Sequence, residues 1–209
     1  MRFRESAPEL WVAAERGETE GVRRLLAGGA DIETRGGLHQ VSPLVIAVGM
    51  GCIARGKSLA RYEELVLLLL QHGADVSATD IFGRPALHVA ASNGLEAVVL
   101  LLLQHGADVS SKGGDGWSPL HEAARQGLEQ AILMLLEHGA DVSSTDWLGQ
   151  TPEEVARQRS HPEVAAMLKE AVSRAKCVAF AMGLLGRLGS ESWVHALDVE
   201  TMRMVLEQV

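Results

Sequence analysis

Leu67–Ser77 reads LLLLQHGADVS, and Leu100–Ser110 reads LLLLQHGADVS again. A third copy, LMLLEHGADVS, runs from Leu133 to Ser143, and a fainter one, RLLAGGADIE, ends at Glu33. Gly73, Gly106 and Gly139 therefore stand 33 residues apart. Self-similarity at a fixed period of this length marks a stacked-repeat solenoid. The phrase has a physical reading: four apolar residues end a helix, and Gly follows at C′, where a left-handed backbone is least costly without a Cβ. The His before each Gly (His72, His105, His138) is placed to bond free carbonyls of the last turn, and Asp opens a connector of turn-forming residues.

The stretches between the phrases repeat as well. Residues 84–103 read RPALHVAASNGLEAVVLLLL and 117–136 read WSPLHEAARQGLEQAILMLL. Aligned, they match Leu87 with Leu120, His88 with His121, the Ala-Ala pairs that follow, and Gly94 with Gly127. Each is a short helix, a turn at Gly and a second helix. Residues 10–31 (LWVAAERGETEGVRRLLAGGAD) form a more charged version of the same unit, suited to an end that faces water.

Ser118-Pro119-Leu120-His121, the later Gly139-Ala140-Asp141 and the 33-residue period resemble the ankyrin repeat, whose signature is Thr-Pro-Leu-His. The resemblance spans roughly residues 6–170. It implies an all-α solenoid of antiparallel helix pairs with β-turn tips along one edge. The expected units are an N-terminal cap (6–34), a repeat with an insert (35–78), two regular repeats (79–111 and 112–144) and a C-terminal cap (145–170), followed by a helical tail (171–209). Departures from the signature are informative. Pro85-Ala86-Leu87-His88 lacks the capping hydroxyl, leaving His88 without its usual partner, and Thr151-Pro152-Glu153-Glu154 puts carboxylates where Leu and His would sit.

The second unit is longer than its siblings: Gly29 to Gly73 is 44 residues, 11 more than the period, and ten of the extra residues fall between Gly51 and Glu64. This basic insert (Arg55, Lys57, Arg61) is expected to be an exposed loop over 52–61. It also contains Gly51-Cys-Ile-Ala-Arg-Gly56-Lys57-Ser58, which matches the phosphate-binding pattern G-x-x-x-x-G-K-[ST]. Nucleotide binding through 51–58 is thus the alternative function. Against it, the flanks belong to repeats, and no later apolar strand ends in an Asp that could complete a metal site.

No other chemistry emerges. The three phrase histidines lie one repeat apart, about 8–10 Å in packed helices, too far to share a metal. No nucleophile–base pair stands outside the repeat pattern, so the expectation is no catalysis, no cofactor and no metal. Two cysteines do not make a disulfide scaffold and favour a reducing compartment. The first residues lack a signal-peptide core, and no stretch reaches the roughly 18 apolar residues of a membrane span. An intracellular, cytoplasmic protein is the expectation. Residues 71–152 hold 3 Lys+Arg against 10 Asp+Glu, a balance of −7 within a chain total of −8, which disfavours nucleic acid and anionic membranes as partners.

Surface remains as the carrier of function. By the resemblance, the tips and the ends of the inner helices form a recognition face for a protein partner. The tip residues are Leu38, His39 and Val41; Ile81, Phe82 and Arg84; Gly114, Asp115 and Trp117; Trp147, Leu148 and Gln150. Ser92, Asn93, Arg125 and Gln126, with Gln158 and Arg159, complete the concave face. Phe82, Trp117 and Trp147 are three of only eight aromatics, and each either packs against a hairpin or offers an apolar contact. In the tail, Ala171–Leu188 reads as helical and Asp198 as the cap of a last helix. The tail either covers the end of the stack or, through Phe180–Leu185, docks or dimerises.

Overall fold

A computed structural model describes residues 8–37, 40–54 and 57–188. The described residues contain ten helices: α1 (Glu9–Glu15), α2 (Thr19–Ala27), α3 (Pro43–Ile53), α4 (Lys57–Gln71), α5 (Ala86–Ser92), α6 (Glu96–Gln104), α7 (Pro119–Gln126), α8 (Glu129–Glu137), α9 (Pro152–Gln158) and α10 (Pro162–Leu188). Among these residues there is no strand longer than an isolated bridge, Gly36 with Val41 and Thr79 with Pro85, each at the base of a hairpin.

The helices pair in chain order. The first helices (α1, α3, α5, α7, α9) pack on one another as one layer, and the second helices α2, α4, α6 and α8 pack as another. One continuous apolar core lies between the layers, from Leu10 to Leu168. Small residues let the layers approach: Ala14, Ala47, Ala90, Ala91, Ala123, Ala124 and Ala156 are all buried along the first layer, facing Leu69, Val99, Leu102, Ile132 and Leu135 of the second. The phrase glycines adopt left-handed φ of 84–85°. The preceding histidines close each last turn, their Nδ1 lying 2.8–2.9 Å from the carbonyl four residues back (Leu68, Leu101 and Met134).

Two expectations need correcting. The insert is not an exposed loop. α3 has 11 residues where α5 has 7 and α7 has 8, and α4 has 15 where α6 and α8 have 9. Nearly all the extra chain is helix, leaving only 54–56 between α3 and α4. The reason lies in Leu59, Tyr62, Val66 and Leu69, which carry the helical spacing of α4 backwards through the insert. Tyr62 is buried, and its hydroxyl donates to the Glu15 carbonyl at 2.8 Å, tying the extension to the α1–α2 turn. The second correction concerns the tail. α10 begins at Pro162 and runs without interruption through Gly186 to Leu188, so the helix read from Ala171 is the continuation of the last unit. The expected final helix from Asp198 lies outside the described residues.

Candidate functional site: hairpin tips and the first-helix face

The hairpins share one construction. In each of three, an Asp folds back on the backbone of its own turn. Asp80 Oδ1 accepts from the Phe82 and Arg84 N–H groups at 2.8 and 2.9 Å. Asp115 Oδ1 accepts from the Trp117 N–H at 3.1 Å, and Asp146 Oδ1 from those of Leu148 and Gln150, both at 2.8 Å. Short acidic side chains stabilise such turns because they replace backbone acceptors locally. Burial opposes ionisation of Asp146, but hydrogen bonds from Gln150, Leu148 and the Trp117 indole hold its carboxyl below the ordinary aspartate range.

These turns aim the candidate residues differently. Phe82 is 64% exposed, Trp147 76% and Leu148 82%, with Ile81 exposed beside Phe82. Trp117 is only half-exposed. Its indole Nε1 donates to Asp146 Oδ2 at 3.1 Å on the next hairpin, and its ring leans on His121 with centroids 6.2 Å apart. Trp117 is therefore hairpin packing, whereas Phe82 and Trp147 are offered to solvent. Ser92 also leaves the surface set. It is buried, its hydroxyl donating to the Val89 carbonyl at 3.0 Å. Asn93 and Gln126 stay exposed. Leu38 and His39 lie outside the described residues.

Behind the tips sits a charge cluster that sequence reasoning missed. Glu122 of α7 is 3% exposed and faces two arginines: Arg125 Nη2 at 3.2 Å and Arg84 Nη1 at 3.9 Å. Burial pushes the Glu122 carboxyl up, and the two guanidiniums pull it back. Arg84 is also gripped by Asp80 Oδ2, at 3.0 Å from Nε and 2.8 Å from Nη2. Each arginine lies over an aromatic ring, Arg84 over Phe82 at 5.2 Å and Arg125 over Trp117 at 5.5 Å. The sign of these residues was legible in the sequence, but their convergence across two units was not.

The histidines of the signature differ in a way that follows from the residue three positions earlier. His121 Nδ1 accepts from the Ser118 N–H at 3.2 Å and lies 2.8 Å from the Ser118 hydroxyl, while its Nε2 sits 3.0 Å from the Gln150 carbonyl of the next hairpin. The equivalent His88 reaches the Ser111 carbonyl at 3.0 Å, but its Nδ1 is buried without a partner because Pro85 supplies neither N–H nor hydroxyl. Burial lowers the His88 imidazole to about 4, against the raising effect of its hydrogen bond to Ser111. Burial likewise lowers His121.

The phosphate-loop pattern falls in a different setting from the one it needs. Residues 44–48, its would-be strand, are helix α3, and Gly51 and Cys52 lie in the same helix. Cys52 Sγ donates to the Val48 carbonyl at 3.2 Å, and burial pushes the thiol up to about 11. Inside α3, the N–H groups of Gly51 to Ile53 are spent on carbonyls of the preceding turn and are not free to cradle phosphates. Arg55 and Gly56 lie outside the described residues. Among the described residues, no group of three or more His, Cys, Asp or Glu could hold a metal ion, and no helix is long and apolar enough to cross a membrane.

The model of the ankyrin repeats family matches residues 57–146 in three copies. No curated protein matches the chain.

Proposed function

We propose that this chain, an ankyrin repeat protein over residues 57–146, holds a protein partner against its hairpin tips and first-helix face, without catalysis of its own. Ankyrin repeats are protein–protein interaction modules, and the finer assignment concerns where this one binds. The observation that carries it is the pair of solvent-facing aromatics, Phe82 and Trp147, each beside a second exposed apolar residue on hairpins that are otherwise closed by their own Asp. Exposed aromatics on a rigid support make strong anchors because little side-chain or backbone freedom is lost on binding. Asn93, Arg125 and Gln126 extend the same face, with the first and last helix pairs serving as end caps.

The test is capture from source lysate by wild type and by Phe82→Ser/Trp147→Ser, with matched helical circular dichroism. Trp117 is left intact because it holds two hairpins together. Partners retained by wild type and lost by the variant support the reading; equal retention of every protein by both would refute the site. Wild type that fails to bind ATP with Mg²⁺ would end the nucleotide alternative, against which the helical context of Gly51–Ser58 already counts.

A further inference from the structure

We infer that the partner segment is basic. The tips fit an extended stretch with two large apolar residues five or six positions apart and a Lys or Arg between them, facing Asp115. The inference rests on the tip-binding reading and specifies its ligand.

Three successive hairpins carry equivalent positions: Ile81-Phe82, Gly114-Asp115 and Trp147-Leu148. The outer two are apolar prongs, and the middle one is a floor pressed from both sides. A Cβ on Gly114 would lie 2.8 Å from the Phe82 carbonyl oxygen, and one on Gly116 would lie 2.4 Å from the Trp147 ring. Gly116 also has φ +80°, so no larger residue raises that floor without strain. Two helix-packing steps separate the prongs, roughly 16–20 Å. At about 3.3 Å per residue, an extended chain covers that gap in five or six residues.

Charge decides what lies between the prongs. Asp115 is exposed and, among the described residues, takes part in no ion pair. The three cations of residues 71–152 are already engaged: Arg84 with Asp80 and Glu122, Arg125 with Glu122, and Lys112 donating to the Thr145 carbonyl. Of the ten carboxylates in that stretch, six (Asp75, Glu96, Asp108, Glu129, Glu137, Asp141) stand on second helices and their connectors without a matching cation in 71–152. Their field and the free Asp115 charge act in the same direction and attract a basic segment. A second copy of this chain, at −8, is repelled.

A phage-displayed random dodecapeptide library panned on the wild-type chain tests this, followed by fluorescence anisotropy of the selected peptides. The expected consensus has Lys or Arg between two large apolar residues at the stated spacing. Asp115→Asn should weaken binding about two- to fivefold, as for an exposed ion pair, and raised salt should weaken wild-type binding. The unfolding midpoint should stay put, because the Asn oxygen still accepts the Trp117 N–H. Phe82→Ser/Trp147→Ser should cost more than about tenfold. An acidic or uncharged consensus, no consensus, or equal affinity for Asp115→Asn overturns the inference. If such peptides still depend on the two prongs, the tip-binding reading survives; if no selected peptide responds to the prong variant, that reading falls as well.

Discussion

Pro85→Ser should stabilise the protein by about 1–3 kcal/mol, although it exchanges a rigid residue for a flexible one. In the next unit, Ser118 shows what a hydroxyl residue does there: its oxygen receives the His121 N–H at 3.4 Å, and its own N–H and hydroxyl meet His121 Nδ1. Pro85 has ψ 159° against 166° for Ser118, so Ser can enter with little backbone change. A cap of this kind contributes about 1 kcal/mol. Relieving a buried unpaired acceptor contributes about 1–3 kcal/mol more. The loss of proline rigidity in the unfolded chain takes back about 0.4–1 kcal/mol. The tautomer is compatible, because the Ser111 carbonyl requires the proton on His88 Nε2 and so leaves Nδ1 as an acceptor. Urea unfolding followed by circular dichroism should show a higher midpoint at unchanged slope. A midpoint that stays or falls would refute the claim that the orphaned Nδ1 is a stability defect.

Other perturbations separate the roles assigned above. His88 titrates near 4 when folded against an unperturbed 6.5, so the unfolded chain takes up the proton first. The stability this provides is complete above pH 6.5 and drains away towards pH 4; about 2 kcal/mol should be lost between pH 7 and 5, read from urea midpoints. His121 shifts the same way and adds to the loss, while Glu122, raised, works in the opposite direction. Trp117→Ala should cost about 2–3 kcal/mol in the same melts, whereas Phe82→Ser should stay within about 0.5 kcal/mol; equal costs would undo the distinction between packing and presented aromatics. Arg61→Pro should cost about 3 kcal/mol because it interrupts α4, while in a flexible loop it would be nearly silent.

The fold was legible because phrase and period are local and repeat together; each copy of Leu-Leu-Gln-His-Gly-Ala-Asp carries its own helix end. The capping defect at Pro85 was legible for the same reason, since it lies within one short motif. What was not legible depends on partners far along the chain. Counting residues between Gly51 and Glu64 measured how much chain the insert adds, not its conformation; the spacing of Leu59, Tyr62 and Val66 carried that signal. Trp117 and Phe82 look alike as tip aromatics, and only Asp146, 29 residues beyond Trp117, draws one of them inward. Ser92 turned out buried because its hydroxyl bonds three residues back, a choice open to any Ser near a helix end.

The helix pair that begins at α9 closes its first helix with a carboxylate where the pair before it uses a histidine. Glu154 Oε2 receives the Thr151 N–H at 2.8 Å, and Thr151 Oγ1 receives the Glu154 N–H at 3.3 Å, a reciprocal clasp within four residues. His121 makes the same clasp but keeps a second nitrogen for the Gln150 carbonyl ahead of it, so each histidine works as a coupling to the following carriage. A carboxylate has acceptors and no such donor; it seals the helix and extends no hand forward. A further repeat stacked on α9 and α10 would therefore need histidine at 154 to be joined in the way α7 is joined to the hairpin at Gln150.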